Sequence, residues 1–203
     1  MTDVALGGAA ADNTDRADRD GPVLTESERI GLLINFLMAG NETSTKLFSN
    51  CARTLAEHPQ WWARLQQDRT LVPRFVEELV RLDPPTQAMY RQLKQDADVG
   101  GEACPAGDHV LLVFAAGNRD EIEFPLANEV VLDRSEPTRH LSFGHGAHLC
   151  LGAPLARMEA KVMLETLLDR CAAISLVPGN DFACEPSYLL HGLRSLPVTV
   201  APA

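Results

Sequence analysis

Phe143-Gly144-His145-Gly146-Ala147-His148-Leu149-Cys150-Leu151-Gly152 is the stretch on which the fold of this 203-residue chain is read. Three glycines within nine residues (144, 146 and 152) let the backbone turn tightly and approach another group closely. Cys150 stands at the end of the loop, just ahead of a helix in which Pro154 suits the first turn. The sulfur is therefore expected near unpaired backbone N–H groups and the positive end of a helix dipole, which both favour thiolate over thiol. A thiolate presented this way is a good ligand for a soft-tolerant metal.

On residue chemistry alone, other readings stay open. Cys150 could be a buried free cysteine beside a glycine-rich turn. A zinc site from Cys150, His148, His145 and His140 is a second option, although no second cysteine is close. A cysteine-protease nucleophile has less support, since nothing orients a particular histidine as base.

Outward from the loop, Ala153 to Cys171 has a helical pattern through Leu155, Met158, Val162, Leu164, Leu167 and Leu168. Residues 117 to 142 show little periodicity and read as a long ordered loop. Tyr90 to Asp98 and His109 to Ala115 read as strands, with turns at Gly100-Gly101 and Pro105-Ala106-Gly107. Ser187 to Ala201 reads as a hairpin closed near His191-Gly192. Helices are expected over Trp61 to Gln67 and Val72 to Leu82, the latter ended by Asp83-Pro84-Pro85.

Toward the N-terminus, Thr25-Glu26-Ser27-Glu28 is a capping box. The helix it opens carries Ile30, Leu32, Leu33, Ile34, Phe36, Leu37 and Met38 on nearly every face, the pattern of a buried central helix. Ala39-Gly40-Asn41-Glu42-Thr43 follows, a poor choice if helix stability were all that mattered, and a second helix is expected from Ser44 to Glu57. Residues 1–21, rich in Ala, Asp and Gly, read as a disordered tail ahead of a domain over 22–203.

A formal net charge of −10 argues against nucleic acid or an anionic membrane as the main partner. No run approaches the roughly 20 apolar residues of a membrane span. The first residues lack a basic segment followed by an apolar one, so no secretory signal is expected. Five cysteines without paired spacing point to reduced thiols and a cytoplasmic setting. The outline is mainly α with a small β-sheet.

The decapeptide from Phe143 to Gly152 resembles the heme-binding loop of the cytochrome P-450 family, F-G-x-G-x-[HR]-x-C-x-G, at every fixed position. Glu78-Leu79-Val80-Arg81 is similar to the family's Glu-x-x-Arg motif, and Ala39 to Thr43 to its Ala-Gly-x-[Asp/Glu]-Thr segment. The resemblance runs from about Asp20 to Val200 in the family's order and implies the C-terminal portion of that fold, in a chain about half the family's length. It implies heme b as cofactor, with Cys150 as axial thiolate and Phe143 and Gly144 in the cofactor loop. His148, His140 and the strand residue Arg91 would be partners of the heme propionates.

Glu78 and Arg81 would form a buried bracing pair. Gly40 would leave room over the heme, and Thr43 with Glu42 would relay protons to bound dioxygen. Leu189 and Leu190 would line the substrate pocket. The activity implied is monooxygenation of a small apolar substrate, using dioxygen and electrons from a ferredoxin-type or flavoprotein donor. Four basic against two acidic residues between Arg134 and Lys161 suggest a docking face for an acidic donor. The family's N-terminal half would be supplied elsewhere or be missing. A catalytically inactive fragment, one half of a split protein, or a heme-based sensor are the competing expectations. Glu121 to Asn128 lacks the family's usual prolines and aspartates, so a looser meander is expected there.

Overall fold

The computed structural model describes residues 24–203, so the expected tail over 1–21 lies outside the described residues. The first helix, α1 (Glu26–Glu57), starts where its capping box requires. The Glu28 amide donates to Thr25 Oγ1 at 3.3 Å, and the Thr25 amide donates back to Glu28 Oε2 at 2.7 Å. The expected break at Gly40–Thr43 does not occur, and α1 is one helix of 32 residues. Its hydroxyls are satisfied inside the helix: Thr43 Oγ1 donates to the Ala39 carbonyl at 2.7 Å and Thr45 Oγ1 to that of Asn41 at 2.8 Å. A glycine costs only about 1 kcal/mol in a helix interior, too little to end a helix this long.

The chain divides into two compact units, Met1–Leu37 and Met38–Ala203, with the boundary inside α1. In the first unit the expectation of burial fails. Ile30, Leu32, Leu33, Ile34, Phe36 and Leu37 are exposed, Leu37 by 72%. A helix apolar on every side needs partners on every side, and among the described residues these side chains have none that remove them from solvent.

The second unit is built on a single core. Leu47, Cys51 and Leu55 of α1 meet Trp62 and Leu65 of α2 (Pro59–Gln67), the apolar face of α3 (Val72–Leu82), and Ala160, Leu164 and Leu168 of α5 (Ala153–Arg170). Prolines sit in the first turns of α2, α3 and α5, where the missing N–H costs nothing. Strands form three separate antiparallel pairs: β1 (Ala88–Gln92) with β4 (His109–Val113), β2 (Ala97–Val99) with β3 (Glu102–Cys104), and β5 (Cys171–Leu176) with β6 (Val198–Pro202). The strand expected over Tyr90 to Asp98 is thus two strands in different pairs.

The C-terminal hairpin also needs correction. Residues near its expected end form β6, which pairs with β5 rather than with Ser187–Leu190. A smaller hairpin has arms at Ala183–Glu185 and Gly192–Arg194, closed by the Glu185 amide on the Gly192 carbonyl and the Arg194 amide on that of Ala183. Its second arm abuts α1 so closely that a Cβ on Gly192 would stand 2.3 Å from Lys46 Cγ.

Between the short helix α4 (Phe114–Gly117) and Gly146 the chain has no helix or strand, as expected. The segment is tied to α3 instead. Arg81 lies fully buried, donating to both Glu78 carboxylate oxygens at 2.8 and 2.9 Å. Its remaining donors reach the carbonyls of Asn118, Ala127 and Glu129. Glu78 also accepts from the Val131 amide and from Arg134, whose guanidinium reaches the carbonyls of Pro125 and Leu126. The meander without its usual prolines and aspartates is therefore an ordered loop, held by side chains.

Two predictions follow from this packing. Burial works to raise the Glu78 carboxyl, but the Arg81 and Val131 hydrogen bonds and the Arg81 and Arg134 charges outweigh it and leave it below its usual 4.5. Its stabilisation is then full above that value and is lost as pH falls through the lowered one. Glu78→Gln, which leaves Arg81 buried without its full counter-charge, is expected to cost about 3–5 kcal/mol near neutrality, and less in acid, by urea unfolding at several pH values. Gly192→Ala is expected to cost about 1–3 kcal/mol by overpacking. Adding Lys46→Ala should return most of the midpoint lost, a coupling that a double-mutant cycle measures.

Candidate functional site

The cysteine loop is a tight structure with its sulfur outermost. The Cys150 amide donates to the Phe143 carbonyl at 2.8 Å, and that of Gly144 to Leu141 at 2.8 Å. Gly144 and Gly146 take φ of 75° and 72°, the left-handed region that glycine enters without steric cost. A turn of 3-10 helix, Gly146–His148, then carries the chain to Cys150, and α5 opens three residues later at Ala153. Cys150 is exposed, and among the described residues its Sγ makes no hydrogen bond. Leu149, Leu151 and Leu155 beside it in sequence are exposed as well.

Behind the loop stands Glu77, beside Glu78 on α3. It accepts from the Arg157 guanidinium of α5 and lies 3.0 Å from His140 Nε2, so one carboxylate joins α3, α5 and the approach to the cysteine. Burial acts to raise its carboxyl, and bonds to His140 and Arg157 with their charges override this and lower it. Arg157 lies 4.5 Å over the Phe143 ring, a cation–π contact that fixes the first residue of the loop. Ser142 Oγ donates to the Val80 carbonyl at 2.7 Å. Asn118, fully buried, donates to Ser142 and to the Arg81 carbonyl and accepts from the Leu141 amide.

Several sequence expectations change here. His140, expected to face a propionate, is buried with Nε2 on Glu77 and Nδ1 accepting from the Ser142 amide at 3.3 Å. With both ring nitrogens engaged it has no free donor, and its place is that of a brace. The zinc reading fails with it, since no three His, Cys, Asp or Glu side chains among the described residues are grouped to hold a metal ion. The basic surplus from Arg134 to Lys161 is not a free face either. Arg134 pairs with Glu78, Arg139 with Glu123 and Glu136, Arg157 with Glu77, and Lys161 with Glu165.

Other site candidates are carried on separate elements. His148 is exposed on the 3-10 turn, beside the cysteine in the same loop. Arg91 lies on β1, half-buried, and its guanidinium donates only to the neighbouring Tyr90 carbonyl, at 2.8 Å, with no acidic partner among the described residues. Glu42 pairs with Lys46 at 3.1 Å, and Thr43 is half-buried one residue on. A Cβ on Gly40 would meet nothing within 4 Å. Leu189 and Leu190 are half-buried and pinned to the turn after α3, where the Gln87 amide donates to the Leu189 carbonyl at 2.7 Å and Thr86 pairs with Leu190.

Glu77, Arg157, Asn118 and Arg134 are the site-positioning residues that sequence reasoning missed. Their signal was weak: two adjacent acids inside the apolar face of α3, and basic residues that read as surface charge.

This donor set fits a planar apolar group bearing iron and carboxylates. Among the described residues Cys150 supplies an unengaged soft sulfur and Arg91 and His148 supply donors without an acidic partner, while Leu149, Leu151 and Leu155, near the cysteine in sequence, are exposed.

A family model described as cytochrome P-450 matches residues 9–180. Cytochrome P-450 monooxygenase PikC of Streptomyces venezuelae is 39% identical over 184 residues, 90% of this chain and 44% of that protein. The biotin biosynthesis cytochrome P-450 of Bacillus subtilis is 37% identical over 181 residues, 89% of this chain and 45% of that protein. Among solved structures, substrate-free CYP150A6 of Mycobacterium marinum matches at a TM-score of 0.87 and 34% identity, over 91% of this chain and 47% of that one. CYP109E1 of Bacillus megaterium in complex with testosterone matches at 0.84 and 37%, over 90% and 50%. The chain spans about half the length of the relatives it matches. On its fold, its cysteine loop and these likenesses together, the chain belongs to the cytochrome P-450 family.

Proposed function

We propose that this chain carries the cofactor-holding and oxygen-handling part of a heme-thiolate monooxygenase acting on an apolar organic substrate. The observation that carries the reading is the unengaged Cys150 sulfur, presented from a loop that Glu77, Arg157 and Asn118 hold rigid from behind. Heme b, when bound, supplies an iron centre at which dioxygen is reduced and one oxygen atom is passed to a C–H bond.

The chain's own residues do the rest. Cys150 donates its sulfur to the iron, and the braced loop keeps that sulfur from drifting. His148 and Arg91 hold the propionates by charge-assisted hydrogen bonds, Arg91 with the planar fork suited to a carboxylate. Thr43 Oγ1, whose own hydrogen goes to the Ala39 carbonyl, keeps lone pairs free one helical turn from Gly40 and would accept and hand on a proton there. Glu42, exposed beside it and paired with Lys46, is placed to replenish that proton from solvent. Leu189 and Leu190 contribute apolar wall for the substrate.

A relative named as a mycinamicin IV hydroxylase/epoxidase and a similar solved structure in complex with testosterone support an organic substrate. A ferredoxin-type or flavoprotein donor supplies the electrons. Five free thiols fit a reducing cytoplasmic setting, and no helix among the described residues is long and apolar enough to cross a membrane.

The test is a reduced, carbon-monoxide difference spectrum after heme reconstitution. A thiolate-type Soret band is expected for the chain and none for Cys150→Ala. Arg91→Ala should weaken heme retention about 10-fold by competition with an apo heme scavenger, as the loss of a charge-assisted bond predicts. Where the band forms, a ferredoxin system with a steroid substrate should give product that has gained oxygen from labelled dioxygen. A second reading, a family member that binds heme without turnover, is favoured by the exposure of Ile30 to Leu37 next to the proton-relay residues. A Soret band without labelled product would select it.

A further inference from the structure

Away from Cys150, the end of α3 and the small C-terminal hairpin bring together three side chains that the heme reading does not use. Asp83 Oδ1 lies 2.7 Å from His191 Nδ1, and His191 Nε2 lies 3.4 Å from Cys184 Sγ. We propose that Cys184, His191 and Asp83 form a base-assisted thiol that undergoes thiol–disulfide exchange with small-molecule disulfides.

The backbone fixes this arrangement before the side chains do. Cys184 and Leu193 face each other in an antiparallel bridge, and the Glu185 amide on Gly192 sets the two arms of the hairpin in register. The His191 amide donates to the Pro85 carbonyl at 2.8 Å, which docks the hairpin against the chain just after Asp83. Gly192 packs so closely on Lys46 that a Cβ there would clash, which fixes how near that arm lies to α1. A structural bridge from hairpin to helix would need only Asp83 and His191. The thiol at the second ring nitrogen turns the bridge into a nucleophile–base–orienter series.

Chemistry assigns the proton positions. A carboxylate has no proton to give, so Nδ1 carries the hydrogen that Asp83 accepts. In the neutral ring Nε2 is then the acceptor, and it faces the sulfur. The Phe182 carbonyl, 3.5 Å from Sγ, is the thiol's other acceptor and is no base. Solvent reaches the group: His191 and Asp83 side chains are 34% and 27% exposed, and Cys184 is half-buried.

Cys51, whose sulfur also feels the Asp83 charge, is fully buried and pushed up to about 12, by burial first, so it stays a thiol. The other charged groups near the cluster are Lys46, under Gly192, and Arg53, 4.7 Å from the Phe182 ring, both from α1, while Asp181, Glu185 and Arg194 flank it in sequence on the hairpin.

In the reaction, Cys184 passes its proton to His191 Nε2 and the thiolate sulfur attacks one sulfur of the disulfide. That S–S bond breaks as the new one to Cys184 forms, and the departing thiolate takes the proton back from His191. Cys184 is oxidised and one sulfur of the small molecule is reduced, so no further oxidant or reductant is needed. Asp83 acts through His191 and is a positioning residue.

The full chain is exposed to oxidised glutathione, quenched with an alkylating agent, and each cysteine peptide is followed by mass spectrometry. Cys104 is the internal control, half-buried like Cys184, with the Glu102 carbonyl as its sulfur's one hydrogen-bond partner among the described residues and no histidine there. At neutral pH Cys184 is expected to be thiolated about 10-fold faster than Cys104. His191→Gln should bring it down to the Cys104 rate, and Asp83→Asn should give part of that loss. Near pH 10, where bulk base ionises thiols unaided, Cys184 in both variants should react as fast as in the parent chain. Equal rates for Cys184 and Cys104 in the parent chain, or a His191→Gln deficit that persists in alkali, would overturn the proposal. The parent-chain comparison decides even if a variant fails to fold.

Discussion

Two adjacent buried carboxylates on one short helix hold the second unit of this protein in shape. Glu77 and Glu78 lie about 100° apart around α3, so they serve different neighbours. Glu78 turns toward the irregular but ordered segment after α4 and, through Arg81 and Arg134, holds it by its carbonyls. Glu77 turns toward α5 and the approach to Cys150, meeting Arg157 and His140. Both charges are expensive to bury, and each is matched by guanidinium groups: Arg81, with every nitrogen engaged, and Arg134 on Glu78, and Arg157 on Glu77. Such networks are unforgiving when one partner is removed, which suits a loop that must hold one geometry.

That constraint explains how an irregular loop can present a sulfur reproducibly. Between Gly117 and Gly146 there is no ladder of backbone hydrogen bonds, so carbonyls that a sheet would have satisfied are met by arginine forks, and the Leu141 amide is met by the Asn118 side-chain oxygen. The rigidity sits behind the loop, while the face with Cys150, Leu149 and Leu151 is left open. The same economy of contacts appears at the C-terminal hairpin. A missing side chain at Gly192 and one hydrogen bond to Pro85 seat its second arm, and this seating also places His191 between Asp83 and Cys184.

The motifs with a fixed local geometry were legible in the sequence. The capping box at Thr25, the proline start of α5 and the glycine turns before Cys150 depend on residues within a few positions of each other. The pairing of Glu78 with Arg81 was legible for the same reason, since i, i+3 spacing places them on one helix face. The supposed break at Gly40 was misread because propensity is a weak term, and Thr43 and Thr45 found acceptors within the helix. The strand partners of the C-terminal segment were misread because alternation shows a strand and not its mate.

By itself the sequence determined the family, the order of its elements and the identity of the cysteine offered to a metal, because these rest on residue types at short, fixed spacings. Only the tertiary structure decided what the charges do. Arg134, Arg139, Arg157 and Lys161 read as a basic face, yet each meets a carboxylate, in two cases on a different element. His140 read as a ligand for an anion and is a brace on Glu77, 63 residues away in the chain. Cys184, His191 and Asp83 showed no pattern at all, being brought together across 108 residues. The physical reason is common to all three: a charge or a nucleophile acts through whatever lies within about 4 Å of it, and sequence spacing specifies that neighbour only inside a helix turn or a tight loop.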